Sequence, residues 1–407
     1  MAAQVGERLE TARIALGSAA DWTPANAARP ALSGFTAEWL NPAELPAIWP
    51  QCRALEAKAL ENNAFFSSTF LEAALRHIPA AAPRLLAIWQ TETHGIGRRL
   101  TGLFPLSAPS GWTGSATLRG WSHPFVATGT PLLDRTCARQ TLNAALDAAA
   151  ATKTGPMALQ FALIDQNGPF AALLREVAAD RGLPLSLLDA HSRAALIGTA
   201  ATPDDKRRNK ERRRQQRRLS ERGLIGFEVI EDYNEFRIAL EDFLTLEASG
   251  WKGRNRTALI QNPSHANFTR AMLWSAARLG KARIARLTLD GRTIASGILL
   301  IEGRGARFWK IAFCESHAAF SPGALLALEL AGWMAADSGL ERIDSCAIPG
   351  HRMIESVWTG RIEVADVIIG LDPARTPAYQ AAVARERLRR SLRARLKRIV
   401  NRLRGRG

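Results

Sequence analysis

Residues 305–346 read GARFWKIAFCESHAAFSPGALLALELAGWMAADSGLERIDSC. The apolar and aromatic run at 306–313 predicts a buried strand, and the apolar spacing that follows Pro322 predicts a helix over 322–337. The segment 342–346 predicts a second strand. We expect the two strands to run parallel, because a helix joins them in a β-α-β unit.

The pattern continues on both sides of this unit. Before it, we predict strands at 226–230, 283–289 and 294–301 and helices at 235–248 and 265–279. After it, we predict a helix at 351–359 and a strand at 362–369. Asp290-Gly291 and Gly303-Arg304-Gly305 are typical of hairpin turns, so the three strands before the helix should be antiparallel.

The first half of the chain also alternates strands and helices. The predicted strands lie at 35–40, 85–89, 100–106, 158–163 and 185–197. The predicted helices lie at 42–60, around 65–78, near Leu142 and at 169–179. The fold class is therefore α/β (α+β), with mixed, mostly antiparallel sheets flanked by helices.

Length and composition limit the class of protein. A chain of 407 residues exceeds one ordinary domain, and an apolar content of 47% is usual for a soluble protein. No stretch is apolar for the roughly 20 residues of a spanning helix, and the first thirty residues lack the pattern of a secretory signal, so we expect a cytoplasmic protein. The four cysteines are widely spaced, and we expect no metal site.

The net charge of +16 is concentrated in two segments. Residues 204–222 carry +6 and residues 385–407 carry +10, so the remainder of the chain is neutral. We predict five regions. They are a disordered lead-in (1–34), a first domain (35–202), a basic linker helix (203–223), a second domain (224–371) and a C-terminal basic amphipathic helix (372–407).

Several strings in the second domain carry a resemblance. They are LEASGWKG at 246–253, WKIAF at 309–313, FSPG at 320–323, and DSCA at 344–347 with His351 and Met353 after it. Together they resemble GNAT-like acetyltransferases of the cellulose-biosynthesis (CelD/BcsL-type) branch, which is related to the Fem aminoacyltransferases. In the first domain, NAFF at 63–66 and the basic run at 206–218 also fit that branch. The resemblance implies two tandem GNAT-like domains.

The resemblance also implies a site for acetyl-coenzyme A or another acyl-coenzyme A. A helix start offers unpaired amides to a pyrophosphate, and the segment that fits this role is Ser321, Pro322, Gly323 and Ala324, with Phe313 at the end of the preceding strand. The alternative is that Ser-Pro-Gly is only a helix cap. Most of the glycines usual in the GNAT loop are missing, which leaves room for an aminoacyl donor. Tyr233 and Tyr379, the only tyrosines, lie outside the helix where the family's general acid often stands.

Acyl transfer needs a base and donors for the oxyanion. We expect backbone amides of the strand at 306–313 to be these donors, in an opening where this strand diverges from the strand at 342–346. The candidate bases are Glu315 first, then Asp344 and His351; the alternatives are a solvated carboxylate, a structural partner and a helix cap. The candidates for binding the acceptor substrate are Trp251, Lys252, Arg254 and Lys310. The first three surround Gly253 in a predicted loop after a helix, and the alternative for Trp251 is a place in the core.

The tail repeats apolar residues every three or four positions, at Leu388, Leu392, Leu396, Ile399 and Leu403, with arginines between them. Such a helix can lie on an anionic membrane surface, contact nucleic-acid phosphates or dock on the protein itself. We rank the inner-membrane surface or a protein partner first, because the resemblance implies polysaccharide assembly at that membrane.

Three functions follow from these features. The first is an acetyltransferase that acts on a sugar amine or hydroxyl in exopolysaccharide or envelope synthesis. The second is a Fem-like aminoacyltransferase that binds tRNA through the basic run. The third is an inactive GNAT-like scaffold.

Overall fold

The computed structural model describes residues 34–41, 44–79, 82–91, 97–107, 117–152, 155–198 and 206–403. The predicted disordered lead-in lies outside these ranges, except for Gly34. All statements on structure below refer to the described residues.

The elements follow the predicted order closely. The strands are β1 Phe35–Trp39, β2 Arg84–Thr91, β3 Arg98–Ser107, β4 Thr117–Gly120, β5 Leu132–Leu133, β6 Ala158–Asp165, β7 Leu185–Ile197, β8 Ile225–Ile230, β9 Ala282–Leu289, β10 Arg292–Glu302, β11 Gly305–Phe313, β12 Arg342–Asp344 and β13 Gly360–Gly370. The helices are α1 Leu45–Lys58, α2 Ser68–His77, α3 Ala138–Ala150, α4 Pro169–Asp180, α5 Lys206–Ser220, α6 Tyr233–Ser249, α7 Trp251–Arg254, α8 Pro263–Arg278, α9 Pro322–Asp337, α10 Arg352–Glu355 and α11 Thr376–Leu403.

The chain divides into two compact units that alternate along the sequence. The described part of the first, which we call the site unit, comprises Asn62–Ala82 and His191–Val364. The described part of the second unit comprises residues 34–61, 83–190 and 365–403. The compact units therefore interleave, whereas the sequence suggested two consecutive domains; the boundaries at 202 and 371 stay a prediction.

In the site unit, β8, β9, β10 and β11 form an antiparallel series. β11 then pairs in parallel with β12 across α9, and β12 pairs antiparallel with β7. The second unit repeats this plan, with antiparallel β1, β2 and β3 and a parallel pair of β4 and β6 that encloses α3. The predicted fold class, a mixed and mostly antiparallel sheet flanked by helices, is confirmed.

The core of the site unit fixes the helix that follows β11. Leu326 and Leu330 of α9 are fully buried in one apolar cluster with side chains of β9 and β10. The indole Nε1 of the buried Trp358 donates a hydrogen bond to the carbonyl oxygen of Ala327, 2.9 Å away. These contacts hold α9 against the sheet, so its first residue has a fixed position relative to β11.

Side-chain caps fix the first residues of two helices. The Asp232 side chain accepts hydrogen bonds from the amides of Asn234 and Glu235 at the start of α6. Asn262 caps α8 in the same way and is followed by Pro263 at the first helical position.

Two local predictions are wrong. The segment Trp251–Arg254, predicted as a loop, forms the short helix α7. The helix predicted for 351–359 is limited to Arg352–Glu355.

The basic run forms α5, as predicted, but it also contributes to the core. Arg212 and Leu219 are both buried. The guanidinium carbons of Arg218 and Arg222 lie 5.7 and 5.8 Å from the ring centre of Phe320. Its last turn therefore packs on the segment that leads into α9.

Candidate active site

The site lies where β11 and β12 separate. The two strands pair over Gly305–Arg307 and Arg342–Asp344, and β12 ends there while β11 continues to Phe313. A cavity of about 440 Å³ is lined by residues 308–313 on one side and by Ser345, Cys346 and Ala347 on the other. The predicted opening between two diverging strands is therefore present as a cavity.

The start of α9 forms one wall of this cavity. Ser321 has φ 51° and ψ 53°, a left-handed conformation that is uncommon for a residue other than glycine. Among the described contacts its side chain makes no capping hydrogen bond, so the serine does not act as a conventional helix cap. Its carbonyl oxygen instead accepts from the amides of Ala324 (2.9 Å) and Leu325 (3.1 Å).

Gly323 lines the cavity next to this turn. A Cβ atom built on Gly323 would lie 3.4 Å from Ile311 Cδ1, 3.7 Å from Met353 Cε and 3.8 Å from Phe313 Cδ1. These are ordinary van der Waals distances, so apolar side chains surround the position without closing it. Because Pro322 has no N–H, Gly323 supplies the first amide of the helix, at the positive end of its dipole.

The cavity brings together most of the residues predicted from the sequence. Those that line it are Trp251, Lys252, Lys310, Phe313, Glu315, Ser321, Pro322, Gly323, Ala324 and His351. Asp344 and Arg254 are not among the lining residues. Asp344 lies buried behind the wall, and the exposed Arg254 pairs with Glu315.

Both carboxylate oxygens of Glu315 are bound by residues of α7. Its Oε1 accepts a hydrogen bond from the Trp251 amide at 2.7 Å, and its Oε2 lies 2.8 Å from Arg254 Nη2. The hydrogen bond from Arg254 and that from the Trp251 amide together hold the pKa of Glu315 below its ordinary value. A carboxylate that anchors a helix start and has a lowered pKa is a weak proton acceptor.

Asp344 belongs to a buried ionic network. Its Oδ2 accepts from Arg193 and from Arg307, the latter at 2.5 Å, and its Oδ1 accepts from the Cys346 amide at 2.9 Å. Arg307 also donates to Glu302 at 2.8 Å. Burial alone would raise the pKa of Asp344, but the charges of Arg193 and Arg307 outweigh burial and lower it. This arrangement favours the structural role over that of a base.

His351 lines the cavity from the residue before α10. Its Nδ1 is buried and has no hydrogen-bond partner among the described residues. A buried ring nitrogen without a partner is costly for the fold. His351 is therefore available to bind a polar group of a ligand.

Two lysines and a glutamate define the polar part of the cavity. Lys252 Nζ donates to Glu247 Oε1 at 2.7 Å and to the Ile311 carbonyl oxygen at 3.3 Å. Burial, reinforced by the neighbouring charge of Lys252, lowers the pKa of Lys310 from 10.5 to about 8. A substantial fraction of Lys310 is then a neutral amine near physiological pH, whereas an ordinary lysine is almost fully charged.

Two features of the site were not predicted. The β10–β11 register changes between Ile298 and Leu299, which leaves Trp309 opposite no residue and forms a bulge in the strand that lines the cavity. Glu247 accepts hydrogen bonds from Lys252 Nζ at Oε1 and from the Leu259 amide at Oε2, the latter over 2.8 Å. Neither the bulge nor this pairing leaves a sequence signal, although LEASGWKG at 246–253 marks the region.

The described residues were also compared with what a metal site and a membrane-spanning helix require. Within the described ranges, no group of three or more His, Cys, Asp or Glu side chains is placed to hold a metal ion. Of the described helices, none combines the length and hydropathy that a transmembrane span requires.

Comparison with known proteins agrees with this geometry. Residues 206–351 match the family described as Acetyltransferase (GNAT) domain. This segment contains β11, α9, β12 and nearly all of the cavity. The site unit therefore has a GNAT acyltransferase fold.

Solved structures show similar folds over most of the chain. FemX is 11% identical, with a TM-score of 0.50, and the match covers 85% of this chain and 99% of FemX. A conserved protein of unknown function from Bacteroides thetaiotaomicron is 12% identical, with a TM-score of 0.49 and coverage of 80% and 97%. A tandem GNAT protein from the clavulanic acid biosynthesis pathway is 15% identical, with a TM-score of 0.41 and coverage of 83% and 99%. At such identities the likeness concerns the fold alone. No curated protein matches the chain.

Proposed function

We propose that the site unit is an acyltransferase that moves an acetyl or other acyl group from acyl-coenzyme A to an amine or hydroxyl of a saccharide. The observation that carries the proposal is the start of α9, where the first turn of a long helix lines the cavity between β11 and β12. Amides at a helix start and the helix dipole bind phosphate groups well. The strings of the cellulose-biosynthesis branch suggest an acceptor in exopolysaccharide or envelope synthesis.

The residues present fit such a donor. Gly323 lines the cavity without a side chain of its own, and Arg218 and Arg222 on Phe320 add positive charge to the segment before it. Phe313 and Ala324 supply apolar contact at the cavity wall. When bound, acyl-coenzyme A supplies an activated thioester that an acceptor can attack.

Residues of β11 and its neighbours would stabilise the oxyanion and orient the acceptor. Amides of β11 beyond Arg307, where pairing with β12 has ended, can donate to the oxygen of the attacked carbonyl and stabilise its negative charge. Trp251 and Lys252 lie at the cavity wall, where they can orient an acceptor. Departure of the thiolate needs no tyrosine, because water can return its proton.

We assign the base to Lys310 in preference to Glu315 and Asp344. Lys310 Nζ in its neutral form accepts the proton that the acceptor amine or hydroxyl loses as its bond to the acyl carbon forms. The lowered pKa of Lys310, about 8, supplies that neutral form. His351 is assigned to ligand binding through its unpaired Nδ1.

A second candidate function is aminoacyl transfer from tRNA. One observation favours it: the basic helix α5 presents the exposed Arg213 and Arg217 beside a shallow depression lined by Gln216 and Ser220. Phosphates of a tRNA backbone could bind there. This function would use the same cavity with a different donor.

Titration of the purified protein separates the two donors. We expect acetyl-coenzyme A to give saturable heat in calorimetry. We expect tRNA at 150 mM salt to bind no better to the wild type than to Arg213→Gln/Arg217→Gln. The matched control is Arg292→Gln/Arg375→Gln, which removes two exposed arginines elsewhere.

The outcomes distinguish the proposals. Absence of heat at millimolar acetyl-coenzyme A, with tRNA binding that only the Arg213/Arg217 variant loses, would support the aminoacyl donor and contradict the acyl-coenzyme A proposal. A protein that binds neither acetyl-coenzyme A nor tRNA would favour the inactive scaffold.

A further inference from the structure

The C-terminal half of α11 exposes an apolar stripe. Leu388, Leu392, Leu396 and Ile399 are 59%, 49%, 61% and 53% exposed. Their spacing of four, four and three residues places them on one face of a helix. Every side chain described between Ser391 and Ile399 is exposed. Four large apolar residues in one exposed row are unusual for a monomeric surface and indicate a binding face.

The N-terminal half of the same helix is firmly attached to the second unit. The Tyr379 hydroxyl donates to Ser186 Oγ at 2.7 Å and to the Ile368 carbonyl oxygen at 3.1 Å. The buried Glu386 pairs with Arg119 at 3.1 Å, and Arg390 pairs with Asp366 at 2.6 Å. The stripe therefore begins within this ordered attachment, which fixes the direction of its leucines relative to the second unit.

The charge around the stripe selects the kind of partner. Between Arg387 and Leu403 the chain has eight Lys or Arg residues and no Asp or Glu. A second copy of this helix would carry the same charge, so self-association is opposed. An RNA would neutralise the arginines but would leave the leucines in water. An anionic bilayer satisfies both, because its head groups bind arginines and its acyl boundary accepts apolar side chains.

We propose that α11 is a membrane-surface anchor that lies in the plane of an anionic lipid bilayer. Leu388, Leu392, Leu396 and Ile399 enter the acyl boundary, and the flanking arginines bind the phosphates of the head groups. The stripe spans about 17 Å at 1.5 Å per residue, which suits a helix parallel to the surface and is too short to cross the bilayer. This inference is independent of the acyltransferase proposal.

Vesicle sedimentation of the full chain tests the anchor. We expect the protein to sediment with vesicles of 70% phosphatidylcholine and 30% phosphatidylglycerol at 150 mM salt, and not with pure phosphatidylcholine. Leu392→Gln/Leu396→Gln should weaken partitioning at least about tenfold, because it removes apolar insertion and keeps every charge. Arg395→Gln/Arg398→Gln should weaken it by about fivefold per charge.

A matched control uses exposed apolar residues of the site unit. Leu224 and Ile238 are 79% and 67% exposed, and Leu224→Gln/Ile238→Gln should bind vesicles as the wild type does.

Equal binding of the wild type and Leu392→Gln/Leu396→Gln would overturn the insertion of the stripe. Absence of binding to the anionic vesicles at 50 mM salt would overturn the anchor entirely. Binding of RNA that survives Leu392→Gln/Leu396→Gln, without vesicle binding, would identify a nucleic-acid surface instead. Heat of acetyl-coenzyme A binding should be equal in all of these variants, so failure of the anchor and failure of the enzyme are separable.

Discussion

Replacement of Asp344 by alanine tests whether this carboxylate is structural or catalytic. Asp344 is 1% exposed, and its partners Arg193 and Arg307 are also almost completely buried. Removal of the carboxylate leaves Arg307 paired with Glu302 and deprives Arg193 of its ion pair with Asp344. Loss of one member of a buried ionic network costs about 3–5 kcal/mol, so we expect the free energy of unfolding to fall by that amount.

Urea unfolding followed by circular dichroism provides the measurement. A matched control is Glu341→Ala, since Glu341 pairs with Arg304 at 2.9 Å on the surface, where both side chains are more than half exposed. That variant should lose at most about 1 kcal/mol. The reasoning is refuted if Asp344→Ala unfolds within 1 kcal/mol of the wild type and yet has no acyl-transfer activity, because Asp344 would then act in the chemistry.

Two further predictions concern charged groups with shifted pKa values. In protein labelled with ¹³C at lysine Cε, one resonance should titrate near pH 8 and be missing from Lys310→Met, because Lys310 is charged below that pH and neutral above it; titration of every lysine near pH 10 would contradict the proposed base. The pKa of Glu386 is about 2 because hydrogen bonds from Arg389 and Arg390 outweigh its burial, which alone would raise the pKa. Its stabilisation is therefore complete above its ordinary pKa of 4.5 and is lost as the pH falls towards 2. We expect Glu386→Gln to lower the free energy of unfolding by about 2 kcal/mol at pH 7, allowing for the solvent access of its arginine partners, and by progressively less in urea titrations below pH 4.5; a loss that does not change with pH would contradict the ionic role.

Local signals in the sequence were sufficient for the order of most elements, although β4, β5 and α7 were not predicted. The aromatic run that forms β11 and the apolar spacing after Pro322 that forms α9 each act within one element, so periodicity identifies them. The place of the cavity followed from the same two elements, since a strand, a helix start and a parallel strand meet at one edge of a sheet.

The side-chain partners could not be predicted in the same way. Asp344 and Arg193 are 151 residues apart in the chain, and only the antiparallel pairing of β12 with β7 brings them together. Without that register, Asp344 resembled a free carboxylate near a catalytic strand. The partners of Glu315 could not be predicted for a related reason, because Trp251 and Arg254 lie in α7, a segment predicted as a loop.

The electrostatic state of Lys310 also depends on the folded environment. Lys310 lies one residue after the bulge at Trp309, near a second lysine that Glu247 holds in place. No sequence pattern reports a bulge of one residue or the approach of Lys252. Lys310 was therefore predicted to bind the acceptor substrate. Its lowered pKa is the reason why we propose it as the base instead.

The proposed function requires a phosphorylated acyl carrier to bind at the start of α9, and calorimetry on two glycine variants of that helix measures this binding. A Cβ at Gly323 points among Ile311, Phe313 and Met353 at the cavity wall, whereas a Cβ at Gly332 meets no described atom within 4 Å. We predict that the wild type and Gly332→Trp bind acetyl-coenzyme A equally, and that Gly323→Trp, with an unchanged circular dichroism spectrum, gives no binding heat. Equal binding by Gly323→Trp and the wild type would contradict the claim.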